Sequence, residues 1–235
     1  MNGPLMRPPS TAMILAAGFG TRMGALTRDR PKPLLKVAGA TLLDRAIDLC
    51  VAAGVRRVVI NLHYRGEMIK AALSSRNDVE IAYSEETEIL ETGGGVARAL
   101  PLLGAEPFFV VNSDAIWTGA SPLDELAASW RPEMRALLNV ASVDRAIEYT
   151  RDGDFFLSGG ELTRRGDATS APFVYTGAQI IRPDLFVDAP TGAFSLNLIW
   201  DEVLRRTALH GVRHDGDWID VGAPPGLARA AELVG

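Results

Sequence analysis

Short apolar runs alternate with amphipathic segments along the first half of the chain, and this order constrains the fold more than any other feature of the sequence. The runs end at glycine or polar residues, which is typical of buried parallel strands. The strand candidates are Met13–Ala17, Arg57–Leu62, Glu80–Tyr83 and Phe108–Val111. The alternation predicts a Rossmann-like α/β fold, with a mostly parallel twisted sheet sandwiched by helices.

The intervening segments carry helix start and stop signals. Thr41–Ala53 has apolar residues at helical spacing, with Asp44 three residues after Thr41 as in a capping box, and Gly54 as its stop. Ser121-Pro122 places an N-cap before a proline at the first helical position. We predict two further helices, at Glu67–Leu73 and Gly95–Leu103.

The pattern changes after about Arg135. Ser158-Gly159-Gly160, between two short apolar runs, predicts a β-hairpin. Further candidates are strands at Phe155–Leu157, Glu161–Thr163, Phe173–Ile181 and Trp218–Val221, and helices at Leu196–Arg206 and Pro224–Val234. No shift in composition marks a boundary, so we predict one domain over residues 1–235, with an antiparallel elaboration in its second half.

Composition excludes several classes of protein. The net charge of −5 argues against a nucleic-acid-binding surface. No apolar run approaches the ~20 residues of a membrane span. Met1–Ser10 has one arginine and no apolar core, so we expect a loose tail rather than a signal peptide, and a cytoplasmic protein. The single cysteine, Cys50, cannot form an internal disulfide, and its apolar neighbours predict a buried residue.

A glycine-rich turn follows the first predicted strand, within Leu15–Leu35 (LAAGFGTRMGALTRDRPKPLL). Gly18 and Gly20 lack a Cβ, so backbone N–H groups there can face a phosphate. Arg22 adds a forked cation and Lys32 a point charge. Only three of the 24 basic residues are lysines, and Lys32 lies between two prolines. This combination favours a nucleotide site.

Alternatives to a nucleotide site remain. A dinucleotide-binding motif needs a third glycine at position 23, which is Met23, whereas the glycine lies at position 24. No Gly-Lys-Ser/Thr of a Walker A loop follows. Pro31-Lys32-Pro33 is either a rigid segment that points a lysine at a ligand or a rigid surface loop with a solvated lysine.

Two acidic residues occupy places that favour metal binding. Asp114 follows a predicted central strand, at the sheet edge where open α/β folds bind ligands. Asp220 lies in an otherwise apolar segment, Trp218–Val221. Together with phosphate oxygens, two carboxylates can hold Mg²⁺. The alternatives are a turn residue for Asp114 and an ion pair with an arginine for Asp220.

Two other features carry weaker signals. The segment ETGGG, Glu91–Gly95, precedes the predicted helix at Gly95; its glycines allow close backbone approach, or it is only a flexible helix start. His63, His210 and His214 have no metal-ligand spacing, and we expect His210 to be a favourable cation after the end of a helix.

The segment Leu15–Leu35 resembles the signature of the sugar-1-phosphate nucleotidyltransferases, L-A-A-G-x-G-T-R-[ML]-x-P-L-T-x-x-x-P-K-P-[LM], with Ala25 where proline is usual. The resemblance continues through ETGGG, Asn112-Ser113-Asp114, Tyr175-Thr176-Gly177 and WIDVG, and so covers nearly the whole chain. The short form with ETGGG looks most like the N-acetylmuramate-α-1-phosphate uridylyltransferases of cell-wall recycling. Mannose-1-phosphate guanylyltransferases share many of these motifs.

This resemblance implies a GT-A-like fold, with a nucleotide-binding half at about 11–130 and a sugar-binding half at about 131–235. It implies transfer of a nucleoside monophosphate from an NTP to a sugar 1-phosphate, with Mg²⁺ as cofactor. Arg22 and Lys32 would be catalytic and Asp114 and Asp220 would bind the metal. The implied nucleotide-binding residues are Ala16, Ala17, Gly18, Gly20, Thr21, Arg22, Lys32, Thr92, Gly93 and Asn112, and the implied sugar-binding residues are Asp154, Thr176, Gly177 and Asn197.

Chemically, such a reaction needs no covalent intermediate and no general base, because the attacking phosphate oxygen is already anionic. The protein's task is to align two anions and to neutralise their repulsion. Two rival functions are a non-catalytic sugar-nucleotide sensor and a nicotinamide-dependent dehydrogenase. The base, the sugar and the oligomeric state stay open.

Overall fold

The structure, a computed structural model, describes residues 8–235, so most of the predicted tail Met1–Ser10 lies outside the described residues. The strands are β1 (Thr11–Leu15), β2 (Lys36–Val37), β3 (Ala40–Thr41), β4 (Arg57–Leu62), β5 (Glu80–Glu85), β6 (Phe108–Asn112), β7 (Ala115–Trp117), β8 (Ala136–Ser142), β9 (Ala146–Ile147), β10 (Phe155–Ser158), β11 (Glu161–Arg164), β12 (Phe173–Ile181), β13 (Leu209–His214) and β14 (Trp218–Asp220). The α-helices are α1 (Leu42–Ala52), α2 (Gly66–Ala72), α3 (Glu91–Leu103), α4 (Pro122–Ser129), α5 (Leu196–Arg206) and α6 (Pro224–Val234).

Nine strands form the main sheet, in the order β10-β11-β13-β8-β12-β6-β1-β4-β5. Strands β6, β1, β4 and β5 pair in parallel, as the alternating pattern predicted. Strand β12 is antiparallel to both β6 and β8, so the second half extends the same sheet. The predicted α/β fold with an antiparallel elaboration is confirmed.

Alternate residues of the central strands point to opposite faces of the sheet, as strand geometry requires. Ala12 and Ile14 of β1 belong to one apolar cluster, which packs against α1, α2 and α4. Met13 between them belongs to a second cluster, which packs against α3 and α5. Cys50 is buried in the first cluster, and burial raises the pKa of its thiol to about 12, so it packs as an unreactive residue.

A three-stranded sheet, β7-β14-β9, lies beside the main sheet and joins its two halves. Strand β14 pairs antiparallel with β7, with Asp220 opposite Ala115, and the Val221 N–H donates to the carbonyl of Asp114 at 2.8 Å. Two segments more than a hundred residues apart in sequence are thereby held side by side, each carrying one of the predicted metal-binding carboxylates.

Two sequence predictions are wrong. Helix α3 begins at Glu91, so the ETGGG segment forms its first turns rather than preceding it. His210 lies within strand β13, paired in parallel with β8, and not at a helix end. Neither β8 nor β13 was predicted.

Candidate active site

A cavity of about 300 Å³ opens at the carboxyl ends of β1 and β6. Most of the residues that the sequence predicted for nucleotide and metal binding line it. They are Ala16, Ala17, Gly18, Gly20, Thr21, Arg22, Lys32, Thr92, Asn112 and Asp114. The structure thus brings together residues from the glycine-rich turn, the first turn of α3 and the end of β6.

Gly20 is required by the approach of Lys32. Its φ is +65°, in the left-handed region, and a Cβ there would lie 2.9 Å from the Cβ of Lys32. The Gly20 carbonyl accepts hydrogen bonds from the Met23 N–H and from the Thr27 hydroxyl, which closes the turn on itself. The absence of a side chain at Gly20 therefore allows the side chain of Lys32 to pack against the turn.

Lys32 is buried and makes an ion pair with Asp114, whose side chain is partly exposed. Its Nζ donates to Oδ2 of Asp114 at 2.6 Å, and the residue is 8% exposed. Among the two alternatives that the sequence left open, the solvated surface lysine is therefore wrong. A partly buried pair of this kind fixes the position of both charges more than it stabilises the fold.

Asp220 adds a second carboxylate next to this pair. Burial raises the pKa of Asp220 above its usual value, and the charge of Asp114 raises it further, although Lys32, Arg22 and Arg151 act in the opposite direction. The site thus holds two carboxylates that repel each other. Such an arrangement fits a divalent cation, because the cation would remove the repulsion.

No group of three or more potential metal-binding side chains occurs in the described part of the chain. Mg²⁺ does not need one, because it is commonly held by one or two carboxylates together with phosphate oxygens and water. Asp114 and Asp220 are the residues that would hold it here.

Arg22 lies on the other side of the cleft, against the backbone at Gly222. A Cβ at Gly222 would lie 2.9 Å from Nη1 of Arg22, so the guanidinium packs directly against this glycine. Arg22 also lines an adjoining cavity of about 270 Å³, together with Arg151 and Asp220. The guanidinium therefore borders the cleft where an anion could enter or leave.

Among the residues of the first cavity that the sequence did not predict, Asn61 and Glu86 are joined by a hydrogen bond. Asn61, on β4, accepts a hydrogen bond from the Ala16 N–H at 2.7 Å and donates to Oε1 of Glu86 at 2.7 Å. Oε2 of Glu86 accepts from the Leu90 N–H at 3.2 Å. An amide inside the apolar run RVVINL was the available signal for Asn61, and Glu86 had none beyond its place after a strand.

The ETGGG segment joins α3 to α5. The hydroxyl of Thr92 lies at the cavity wall and accepts a hydrogen bond from the Leu196 N–H at 2.9 Å, at the start of α5. Gly93 was expected to line the base, but it is buried. Its N–H donates to the Phe194 carbonyl at 2.8 Å, and a Cβ would lie 2.5 Å from the Phe194 ring. Gly93 therefore packs against the segment that precedes α5.

A second cavity of about 300 Å³ continues from the first and shares Thr92, Asn112 and Asp114 with it. Two of the residues predicted to face the sugar, Asp154 and Asn197, line this cavity. The other residues that line it beyond the shared ones are Ala115, Arg151, Phe155, Arg164, Tyr175, Ser195, Leu196, Trp200, Trp218 and Asp220. The cleft is therefore a pair of adjoining chambers with the carboxylates at their junction.

The other two predicted sugar contacts do not line this cavity. Thr176 is fully buried, and its hydroxyl donates to Oδ1 of Asn139 at 2.7 Å, so it fixes β12 to β8. Gly177, with φ +90°, lies where a Cβ would be 2.9 Å from the side chain of Asn112. Because Gly177 has no side chain, the side chain of Asn112 can occupy this space. Gly177 therefore affects the cleft through the position of Asn112, which lines it.

A sequence profile of the nucleotidyl transferase family matches residues 11–149. An N-acetylmuramate alpha-1-phosphate uridylyltransferase of Caulobacter vibrioides is 41% identical over 98% of this chain and 99% of its own length. A protein of the same name from Neisseria meningitidis is 37% identical over 95% of this chain and 98% of its own.

Solved structures share the fold. A putative glucose-1-phosphate thymidylyltransferase from Bacillus anthracis superposes with a TM-score of 0.83, over 95% of this chain and 94% of its own, at 18% identity. At that identity the likeness supports the fold alone. Within residues 8–235, none of the helices has the length and apolar character needed to cross a bilayer.

Proposed function

This chain belongs to the nucleotidyl transferase family and is a sugar-1-phosphate nucleotidyltransferase, and we propose that it transfers UMP from UTP to N-acetylmuramate α-1-phosphate, with release of pyrophosphate. The proteins of Caulobacter vibrioides and Neisseria meningitidis, which match 98% and 95% of this chain, carry the name of this activity. The proposed role is in cell-wall recycling.

The observation that carries the proposal is the Lys32–Asp114 pair at the junction of two chambers. One chamber is lined by the backbone of the glycine-rich turn, which suits a triphosphate. The other is lined by polar and aromatic side chains, including Asp154 and Trp200, which suit a sugar. A reaction that joins the two ligands has to take place where the chambers meet.

The proposed chemistry is a direct in-line displacement. An anionic oxygen of the sugar 1-phosphate attacks the α-phosphorus of UTP, a P–O bond forms, and the bond to the β-phosphate oxygen breaks as pyrophosphate departs. Lys32 would transfer its hydrogen bond from Asp114 to a phosphate oxygen, and Arg22 would neutralise the departing pyrophosphate. These cations bring together two anions that repel each other in solution.

The carboxylates that Lys32 leaves behind would be neutralised by Mg²⁺. Asp114 and Asp220 would hold this ion, which supplies positive charge beside the phosphates. The raised pKa of Asp220 means that the site takes up a proton more readily than an ordinary aspartate in the absence of a cation.

A second candidate is GTP, because the carboxylate of Glu86 in the nucleotide chamber has two acceptor oxygens and guanine offers two adjacent donors, whereas uracil offers one. Each carboxylate oxygen of Glu86 accepts one hydrogen bond within the protein and keeps a further lone pair. A carboxylate can accept from N3–H of uracil, or from N1–H and the amino group of guanine. Mannose 1-phosphate is the matching sugar, since mannose-1-phosphate guanylyltransferases are among the more distant relatives, at about 29–31% identity over 91% of this chain.

The test is a substrate panel. The purified chain is incubated with Mg²⁺, each of UTP, GTP, dTTP, CTP and ATP, and each of N-acetylmuramate, N-acetylglucosamine and mannose 1-phosphates, and pyrophosphate release is measured. We expect the highest kcat/KM for UTP with N-acetylmuramate 1-phosphate. Higher kcat/KM for GTP with mannose 1-phosphate would replace this assignment with the second candidate.

A further inference from the structure

The sugar chamber contains an arginine that is held in a fixed orientation. Arg164, at the end of β11, donates through Nε to Oδ1 of Asp201 at 2.8 Å and through Nη2 to the carbonyl of Asn197 at 3.1 Å. Nη2 also lies 2.8 Å from the same Oδ1, in an ion pair. Its guanidinium carbon lies 4.9 Å from the centre of the Phe155 ring and 5.4 Å from that of Trp200. These contacts set the plane of the guanidinium at the chamber wall.

The remaining edge of this guanidinium is available. Nη1 of Arg164 has no hydrogen-bond partner within residues 8–235. The side chain lines the chamber and is 28% exposed, so a ligand can reach this nitrogen. The guanidinium is held by hydrogen bonds from Nε and Nη2, and Nη1 is free to bind a ligand. Such a group suits a planar anion, because the side chain loses little conformational entropy when the anion binds.

The position of Arg164 separates it from the phosphate end of the cleft. Arg151 lines this chamber and also the adjoining cavity that Arg22 and Gly222 line, whereas Arg164 does not line that cavity. Arg151 therefore belongs to the phosphate junction. Arg164 lies toward the start of α5, where the sugar ring and its substituents would extend.

We propose that Arg164 binds a carboxylate carried by the sugar, and so selects an acidic sugar 1-phosphate over its neutral counterpart. The inference rests on the proposed function and adds the group that is recognised. N-acetylmuramate differs from N-acetylglucosamine by a lactyl ether that ends in a carboxylate. A neutral sugar would offer Nη1 no anionic partner, so it would lack the charge-assisted hydrogen bonds that the carboxylate makes.

Asp154 cannot favour the acidic sugar over the neutral one. Its Oδ2 accepts a hydrogen bond from the Tyr175 N–H at 3.1 Å, and its remaining acceptor positions suit sugar hydroxyls, which both sugars possess. A carboxylate on the sugar would be repelled by Asp154 and attracted by Arg164, so it would be oriented toward the start of α5.

The experiment compares Arg164→Met with Arg165→Met. Arg165 is the adjacent arginine, pairs with Asp152 at 3.3 Å, and does not line the chamber, so its replacement removes the same charge outside the site. Dissociation constants for UDP-N-acetylmuramate and UDP-N-acetylglucosamine are measured by calorimetry, so the comparison does not depend on turnover. Arg164→Lys, which keeps the charge but not the fork, is the conservative variant.

We expect Arg164→Met to weaken UDP-N-acetylmuramate binding about 10- to 100-fold, the usual loss for a hydrogen bond to a charged group, and to change UDP-N-acetylglucosamine binding by less than about threefold. Arg164→Lys should recover part of the loss, and Arg165→Met should change neither constant. Equal weakening of both ligands, or weakening of neither, would overturn the inference. If the wild-type chain transfers UMP to N-acetylmuramate 1-phosphate in that case, the proposed function stands. A wild-type chain that binds and turns over only neutral sugars would overturn both.

Discussion

At the scale of single residues, the site is organised by charges that the fold holds at close range. Lys32 is the only lysine of the chain that the structure buries, and it contacts Asp114 at 2.6 Å. Its position depends on Gly20, since any side chain there would occupy the space of the lysine stem. The glycine at position 20 is therefore explained by the packing of the Lys32 side chain against it.

Lys32→Ala should lower kcat by about 10²–10³-fold or more, because the variant loses a buried cation next to the reacting phosphates. Lys36→Ala is the matched control, since Lys36 is an exposed lysine four residues further on. Pyrophosphate release under saturating UTP and sugar 1-phosphate measures the effect, and circular dichroism verifies the fold. Near-normal turnover in a folded Lys32→Ala variant would remove this residue from the mechanism.

Asp220→Asn should abolish Mg²⁺-dependent turnover and yet stabilise the free protein. The pKa of Asp220 is raised in the folded state, so the folded chain binds the proton more tightly than the unfolded chain does. The ionised Asp220 therefore lowers the free energy of unfolding. This loss is absent below the pKa that Asp220 has in the unfolded chain, and it grows as the pH rises through the pKa that it has in the folded chain. The variant removes it, so its Tm at pH 7 should rise by a few degrees, given that about 1 kcal/mol shifts Tm by roughly 2–4 °C at this chain length.

Calorimetry at pH 7 and at acidic pH measures this difference, which should vanish on acidification. Asp167→Asn, at an exposed aspartate, serves as the control and should leave Tm unchanged. UTP with Mg²⁺ should raise the Tm of the wild type more than that of Asp220→Asn. A lower Tm for Asp220→Asn at pH 7 would contradict the proposed repulsion between the two carboxylates.

At the scale of elements, local sequence signals predicted some segments completely. Strand β12 and helix α5 begin and end at the predicted residues, because the first is a long apolar run and the second has strong helical periodicity. Strand β13 escaped prediction, since LHGVRH has neither an apolar run nor regular alternation. It is formed by parallel pairing with β8, which is a long-range contact that no local pattern records.

The direction of a side chain is harder to predict than the strand that carries it. The register of β12 against β8 shifts between Tyr175 and Gln179, and Thr176 and Gly177 lie inside that irregularity. An irregularity of this kind changes which face the following residues point to. The burial of the Thr176 side chain therefore has a geometric reason that the sequence did not contain.

Helix α3 shows why its glycines are needed inside a helix. A Cβ at Gly94 would lie 2.3 Å from the carbonyl oxygen of Gly192, far inside van der Waals contact. Gly94→Ala should destabilise the fold by about 1–3 kcal/mol, because this overlap outweighs the gain of up to about 1 kcal/mol from helix propensity. Urea unfolding measures the change. Gly18→Ala, where a Cβ would have open space, is the control for stability. Equal or greater stability of Gly94→Ala would mean that the segment before α5 can move away.

At the scale of the whole molecule, the two halves proposed to bind the nucleotide and the sugar share one sheet. Strand β12 lies between β6 and β8, and its Ala178 and Ile180 belong to the same apolar cluster as Ile14 of β1. Without the second half, β6 would become an open edge and this cluster would lose part of one wall. The two halves on either side of about residue 130 therefore differ in the ligand that each is proposed to bind. We propose that they are not separate folding units and that residues 11–235 fold as a single unit.

Two tryptophans make this testable. Trp130 packs in the cluster on one face of the sheet, and Trp200 packs in the cluster on the other, near the sugar chamber. Replacing all tryptophans but one leaves a reporter on each side of the sheet. We expect both reporters and far-ultraviolet circular dichroism to give the same urea midpoint and the same m-value, because a shared sheet cannot lose half of its strands without exposing both clusters. A fragment of residues 11–130 should accordingly show no cooperative transition. Separate midpoints for the two reporters, or a fragment that folds cooperatively, would mean that the halves are independent domains. In that case the two carboxylates at their junction would come together only when both domains are folded.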